Sequence, residues 1–158
     1  MYKYFVVIML LVMSCAKQQS IFDPQPVEQR TGRVIATHRI GYVELQDGIV
    51  IKYAGIKMPT YHDSKYAAMV MQLSNKLILL RLIRYELTGK ITNNVPEAYI
   101  YIEKTCINSE LVRRGYAIAD REDTDRAKKL IALEKIAEKE RRGLWAYKED
   151  NPFKEPLY

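Results

Sequence analysis

Val50-Ile51-Lys52-Tyr53-Ala54-Gly55-Ile56-Lys57-Met58-Pro59-Thr60 constrains this chain more than any other stretch, because it reads as a strand that stops at a proline-closed loop. Val50, Ile51, Tyr53 and Ile56 suit a pleated, half-buried surface. Gly55 permits close backbone approach, and Pro59 ends the ladder by removing a donor. Upstream, Tyr42-Val43-Glu44-Leu45 and the run from Ile49 to Ile56 flank Gln46-Asp47-Gly48. Asp-Gly between two apolar runs predicts a hairpin, and Arg33-Val34-Ile35-Ala36 predicts a strand before it.

After the Pro59 loop, Asp63 or Ser64 is placed to cap a helix with Tyr66, Met69, Val70 and Leu73 on one face, ending near Asn75. Leu77 to Leu87 then reads as a strand, turned back at Thr88-Gly89-Lys90 toward Ala98-Tyr99-Ile100-Tyr101-Ile102. Asn108 or Ser109 starts a short helix that Gly115 closes, and Tyr116 to Ala119 is a short extended piece. A last helix runs from about Thr124 to Arg142, with Ala127, Leu130 and Ala137 on one face, widened by Leu133 and Ile136, and Gly143 after it. Its charges Lys128, Lys129, Lys135 and Glu138 are read as a solvated face. Strands with helices segregated from them indicate an α+β fold, and a small closed barrel would remove the exposed edges.

The N-terminus follows a different logic. Lys3, an apolar run from Tyr4 to Met13, then Ser14-Cys15 matches a secretory signal, and the run is short of the ~20 apolar residues a membrane span needs. Leu11-Val12-Met13-Ser14-Cys15 resembles a bacterial lipobox, which makes Cys15 the expected lipidation site. Plain cleavage or an uncleaved anchor are the alternatives. The 158 residues then divide into a lipoprotein signal peptide at 1–14, a tether at 15–30, one folded domain at 31–150 and a C-terminal tail at 151–158. The expected location is the cell envelope, membrane-anchored through lipid on Cys15. With Cys15 acylated, Cys106 has no disulfide partner, and it is expected to serve as a small buried hydrophobe rather than a nucleophile. A formal charge of +6, or +5 once Lys3 leaves with the signal, permits contact with nucleic acid or anionic lipid without demanding either.

Three segments, in order and spacing, give the chain a family likeness. Ala98-Tyr99-Ile100-Tyr101 followed by Asn108-Ser109-Glu110-Leu111-Val112-Arg113-Arg114-Gly115-Tyr116-Ala117, the helix Leu133–Arg142 ending in Gly143-Leu144-Trp145, and the loop Tyr53-Ala54-Gly55-Ile56-Lys57-Met58-Pro59 resemble the staphylococcal nuclease-like, or thermonuclease, domain. The resemblance implies a five-stranded OB-like antiparallel β-barrel with three helices. Active members hydrolyse phosphodiester bonds of DNA and RNA with one Ca²⁺, using two aspartate ligands, a glutamate base and two phosphate-binding arginines. Ca²⁺ takes several hard oxygen ligands, water needs a base within reach, and charge building on phosphate needs fixed cations.

Carried across position by position, that site is replaced. The aspartate before the proline becomes Lys57 and the glutamate after it Thr60. The first phosphate arginine becomes Lys52, a remnant contact without the planar two-pronged grip, and the second becomes Val95. Ala36-Thr37-His38-Arg39-Ile40-Gly41, at the strand-one ligand, holds no carboxylate, and Asp120-Arg121-Glu122-Asp123 stands where nucleotide-stacking tyrosines would fall and is expected to repel a nucleic-acid backbone. Ca²⁺ is therefore expected only where such a site is intact, and no cofactor or metal is assigned. Three expectations follow: no confident catalytic residue, a monomeric pseudoenzyme that binds an unknown protein or nucleic acid, and tyrosines that serve mainly as core. The alternative is a divergent metal-dependent extracellular nuclease, with His38, His62 and Asp63 as the relocated metal ligands.

Overall fold

In the computed structural model, residues 28–37, 39–59, 65–122 and 124–147 are described. The expected lipidation site Cys15, the signal and tether up to residue 27, Thr60, His38, His62, Asp63, Ser64, Asp123 and the tail lie outside them.

Alternating burial turns one face of each strand into the core. The strands are β1 (Gln29–Ala36), β2 (Tyr42–Leu45), β3 (Val50–Tyr53), β4 (Ile56–Lys57), β5 (Leu82–Thr92), β6 (Val95–Ile102), β7 (Thr105–Cys106) and β8 (Ile118–Ala119). Val34, Val43, Leu45, Ile51, Tyr53, Ile83, Tyr85, Ala98 and Ile100 point inward and are at most 2% exposed. The sheet runs β3-β2-β1-β5-β6-β7, and a parallel contact between β3 and β6 joins its ends. Five strands thus form a ring with helices outside it, the α+β, OB-like barrel expected, and β7 is a short hairpin extension.

Three helices cover the barrel: α1 (Lys65–Ile78), α2 (Ile107–Arg113) and α3 (Asp125–Lys139), with a 3-10 turn at Gly143–Ala146. Tyr66, Val70, Ser74 and Ile78 recur at four-residue spacing along the buried side of α1. The Tyr53 hydroxyl meets the Ser74 hydroxyl at 3.1 Å in the core, and burial raises the Tyr53 pKa.

Several boundaries differ from the sequence reading. The strand from Ile49 to Ile56 breaks at Ala54-Gly55, because Gly55 at φ +69° lets the chain leave the barrel and pair β4 with β8. Helix α1 continues past Asn75, whose side-chain carbonyl accepts from the Thr37 hydroxyl; Leu77 and Ile78 belong to the helix, and Ile78 is fully buried. Thr88-Gly89-Lys90 is a bulge inside β5, where the β5–β6 register shifts. The reversal comes at Asn93-Asn94, with φ +52° and +61°, as asparagine tolerates in a tight hairpin.

Helix α3 starts where expected, with the Thr124 hydroxyl accepting from the Ala127 N–H at 3.1 Å, but stops at Lys139. Ile136 is 44% exposed and does not widen the apolar face. The carboxylate of Glu134 sits in the buried stripe instead, accepting from the Ala119 N–H at 2.7 Å and from Arg121 at 2.5 Å. Cys106 is half-buried at the cap of α2 rather than in the core, because β7 ends there and leads directly into the helix.

Candidate functional site

The two ends of the barrel sheet meet where β3 lies parallel to β6, with Lys52 opposite Glu97 and Tyr53 opposite Ala98. Asn108 adds a side-chain bridge across this contact. Its amide nitrogen donates to the carbonyls of Ala54 at 2.8 Å and Ala98 at 3.2 Å, and its oxygen accepts from the Ile100 N–H at 2.9 Å. Asn108, predicted as a helix start, therefore does not cap α2. Three bonds to β6 and the turn after β3, made at zero exposure, outweigh one bond to a helix end.

That closure places the side chains that matter. Lys52 Nζ lies 2.8 Å from Glu97 Oε1, and the same oxygen accepts from the Thr92 hydroxyl at 2.7 Å. Burial pushes the Glu97 carboxyl upward, but hydrogen bonds from Lys52 and Thr92 and the charges of Lys52 and Lys90 leave it below its ordinary value. Lys57, on β4, reaches Asp120 Oδ1 at 3.3 Å just past β8. Lys90 pairs with Glu122, and that hydrogen bond, with the charges of Glu122, Glu97 and Asp120, raises the lysine against the opposing effect of burial. Three lysines and three carboxylates thus share one field, each lysine with its own acid.

Sequence reasoning places Lys52 and Lys57 as substitutions, and the structure gives each a partner it did not name. Glu97 was legible only as one polar residue in an apolar strand. Its role depends on the β3–β6 register, which no local pattern encodes. Val95 is half-buried at the start of β6, opposite Thr92, and supplies no cation. The acids after β8 do not stand as bare charges: Asp120 and Glu122 are neutralised by Lys57 and Lys90, and Arg121 engages Glu134. The expected electrostatic repulsion of nucleic acid by that loop is accordingly weakened.

Around this face the sequence motifs acquire physical causes. A Cβ on Gly55 would come within 2.6 Å of the Tyr99 hydroxyl. Gly115, at φ +76°, presses its backbone on that of Arg142, and the Leu144 N–H donates to the Gly115 carbonyl at 2.9 Å. Gly143, at φ +52°, returns the contact against Arg114 and Gly115. The family model described as staphylococcal nuclease homologue matches residues 50–147, more than half the chain.

The chain belongs to the staphylococcal nuclease homologue family.

No curated protein matches the chain. Within the nuclease-family frame, the described residues at the site positions do not fit the Ca²⁺ of active members. Lys57, which the resemblance aligns with a ligand position, pairs with Asp120, Thr37 to Gly41 offers no carboxylate, and the nearby acids Glu97 and Glu122 are likewise tied to lysines. The tyrosines divide. Tyr53 and Tyr85 are core, while Tyr99 and Tyr101 are half-buried beneath Arg126 and Arg84, whose guanidinium carbons lie 4.4 and 4.2 Å from the ring centres. Both arginines reach the buried Glu86 at 2.7 Å, so this cluster fastens α3 to β5.

Proposed function

We propose that this chain is an exported lipoprotein, held at the cell envelope by lipid on Cys15, whose nuclease-family barrel performs no phosphodiester hydrolysis and serves as a binding module. The observation that carries the reading is the pairing of Lys52 with Glu97 and Lys57 with Asp120, lysines that the resemblance aligns with the phosphate and metal-ligand positions of active members. A lysine whose charge is already matched at 2.8 Å has little attraction left for a phosphate. Removal of one preorganised donor costs on the order of 10²–10³ in rate, and here a ligand, the base and a cation are replaced together. The balanced charges also supply little net positive potential for a polyanion, which favours a protein partner over nucleic acid.

The test incubates the full chain with single-stranded DNA and RNA across Ca²⁺, Mn²⁺ and Zn²⁺. The expected result is no chelator-sensitive cleavage. Cleavage that disappears in His62→Ala or Asp63→Ala would establish the divergent-nuclease reading instead. Fatty-acid labelling of the chain should vanish in Cys15→Ala, and label that persists would overturn lipidation at that residue.

A further inference from the structure

Four of the six large hydrophobic side chains exposed among the described residues gather where α1 hands over to β5: Ile35 at 42%, Leu79 at 38%, Leu80 at 64% and Leu82 at 63%. Arg33 lies opposite Leu82 in the β1–β5 register, and next to that pair Val34 faces both Leu80 and Arg81 across a bulge. The Val34 N–H donates to the Arg81 carbonyl and the Leu80 N–H to the Val34 carbonyl, both at 3.0 Å, so the two chains stay paired through the corner. Leu80 holds φ +61°, a conformation that glycine or asparagine adopts more readily. A leucine kept there and left in water contributes nothing to the fold that a polar residue would not.

Arg33, Lys76 and Arg81 frame the patch, all exposed, and none forms an ion pair among the described residues. The Arg33 guanidinium donates to the Leu80 carbonyl at 2.9 Å, which holds one cation over the apolar tip. Glu44 and Asp47 are the acids on the adjoining strand and turn. The four apolar side chains expose roughly 400 Å², about half of what one partner contributes to a stable protein interface, so the patch is undersized for a second copy. Apolar side chains ringed by cations suit the boundary between acyl chains and anionic headgroups.

We infer that this corner is the face the domain lays on the anionic membrane that holds its lipid anchor, an inference that rests on the lipoprotein reading above. Leu80 and Leu82 enter the headgroup layer, and Arg33, Lys76 and Arg81 meet its phosphates. The segment between Cys15 and Glu28 spans at most roughly 45 Å, so a tethered domain meets the surface at high effective concentration and a weak contact suffices.

The experiment places the full chain on phosphatidylcholine vesicles with and without about 30% phosphatidylglycerol and maps side-chain exposure by hydroxyl-radical footprinting. Labelling of Leu80 and Leu82 should fall about fivefold on anionic vesicles only, and recover in part at about 0.5 M salt. In Leu80→Asn/Leu82→Thr, Ile35 and Leu79 should label as they do in solution, with the unfolding midpoint of the Leu80→Asn single variant unchanged or raised. Attachment to vesicles with Leu80 and Leu82 labelled as in solution would overturn the docking face while leaving the anchor standing. Protection that persists in an unacylated Cys15→Ala chain would uphold the face as a membrane contact that needs no help from the anchor. Protection without vesicles that grows with protein concentration would overturn the inference in favour of a second copy.

Discussion

Asn108 illustrates how much one polar side chain can decide. It joins the turn after β3, the middle of β6 and the start of α2 through three hydrogen bonds, all out of reach of water. Asn108→Ala would leave the Ala54 carbonyl and the Ile100 N–H without this partner, and should cost about 3 kcal/mol or more in urea unfolding. Gly115→Ala is expected to be comparably damaging, about 2 kcal/mol or more, because a Cβ would strike the Arg142 backbone at a φ that alanine resists. If Gly115→Ala unfolds within 0.5 kcal/mol of the parent, roughly the range of an ordinary surface change, the back-to-back glycine contact is not structural. At this scale both motifs were readable as motifs, but their reasons lie in neighbours distant in sequence.

Between elements, an ion-pair cluster joins α3 to the barrel beside the buried Ala127, Leu130 and Ala137. Glu86 on β5 is 6% exposed and accepts from Arg84, Arg126 and the Tyr101 hydroxyl. Burial works to raise its carboxyl, yet the two arginines and Tyr101 hold it below the ordinary 4.5. Burial also pushes the Tyr101 phenol up to about 12. A carboxylate with a lowered folded-state pKa contributes stability that is fully present above its unfolded value and is lost as pH falls through the folded one. Stability should therefore be level above about pH 5 and decline below about pH 4.5, with Glu86, Glu97 and Glu110 protonating in that window. Glu86→Gln should flatten the acid limb measured by denaturant titration at several pH values; an unchanged slope would assign the acid sensitivity elsewhere. Arg126→Ala should speed hydrogen exchange in α3 before the barrel strands respond.

For the whole molecule, the field at the β3–β6 seam sets what can approach. With Lys52, Lys57 and Lys90 each matched by an acid, oligonucleotide binding at physiological salt should be no tighter than the non-specific range, with Kd about 10⁻⁴ M. Glu97→Gln releases Lys52 and should tighten binding of single-stranded DNA severalfold, with a salt slope steeper by about one counterion. An unchanged slope would show that Lys52, once released, makes no contact with the oligonucleotide. The inferred membrane corner lies on β1, β5 and the end of α1, so Leu80→Asn should leave this titration untouched.

Local chemistry in the sequence determined a good deal: the Asp47-Gly48 hairpin, the Thr124-started helix, the glycines at 55, 115 and 143, and through them the family and the barrel. Those features depend on near neighbours, on turn geometry and on periodic burial, which a linear pattern records. The expected strand at Leu77 failed because its apolar residues fit a helix as well as a strand, and Ile78 found its burial at the end of α1. Only the tertiary structure decided that Lys52 faces Glu97, that Lys57 faces Asp120 and that Glu134 is buried, since each partner is brought in by ring closure or helix docking. Substitution of the site residues was legible residue by residue. The neutralisation of their charges was not, because a field is a property of distances, and the sequence carries none.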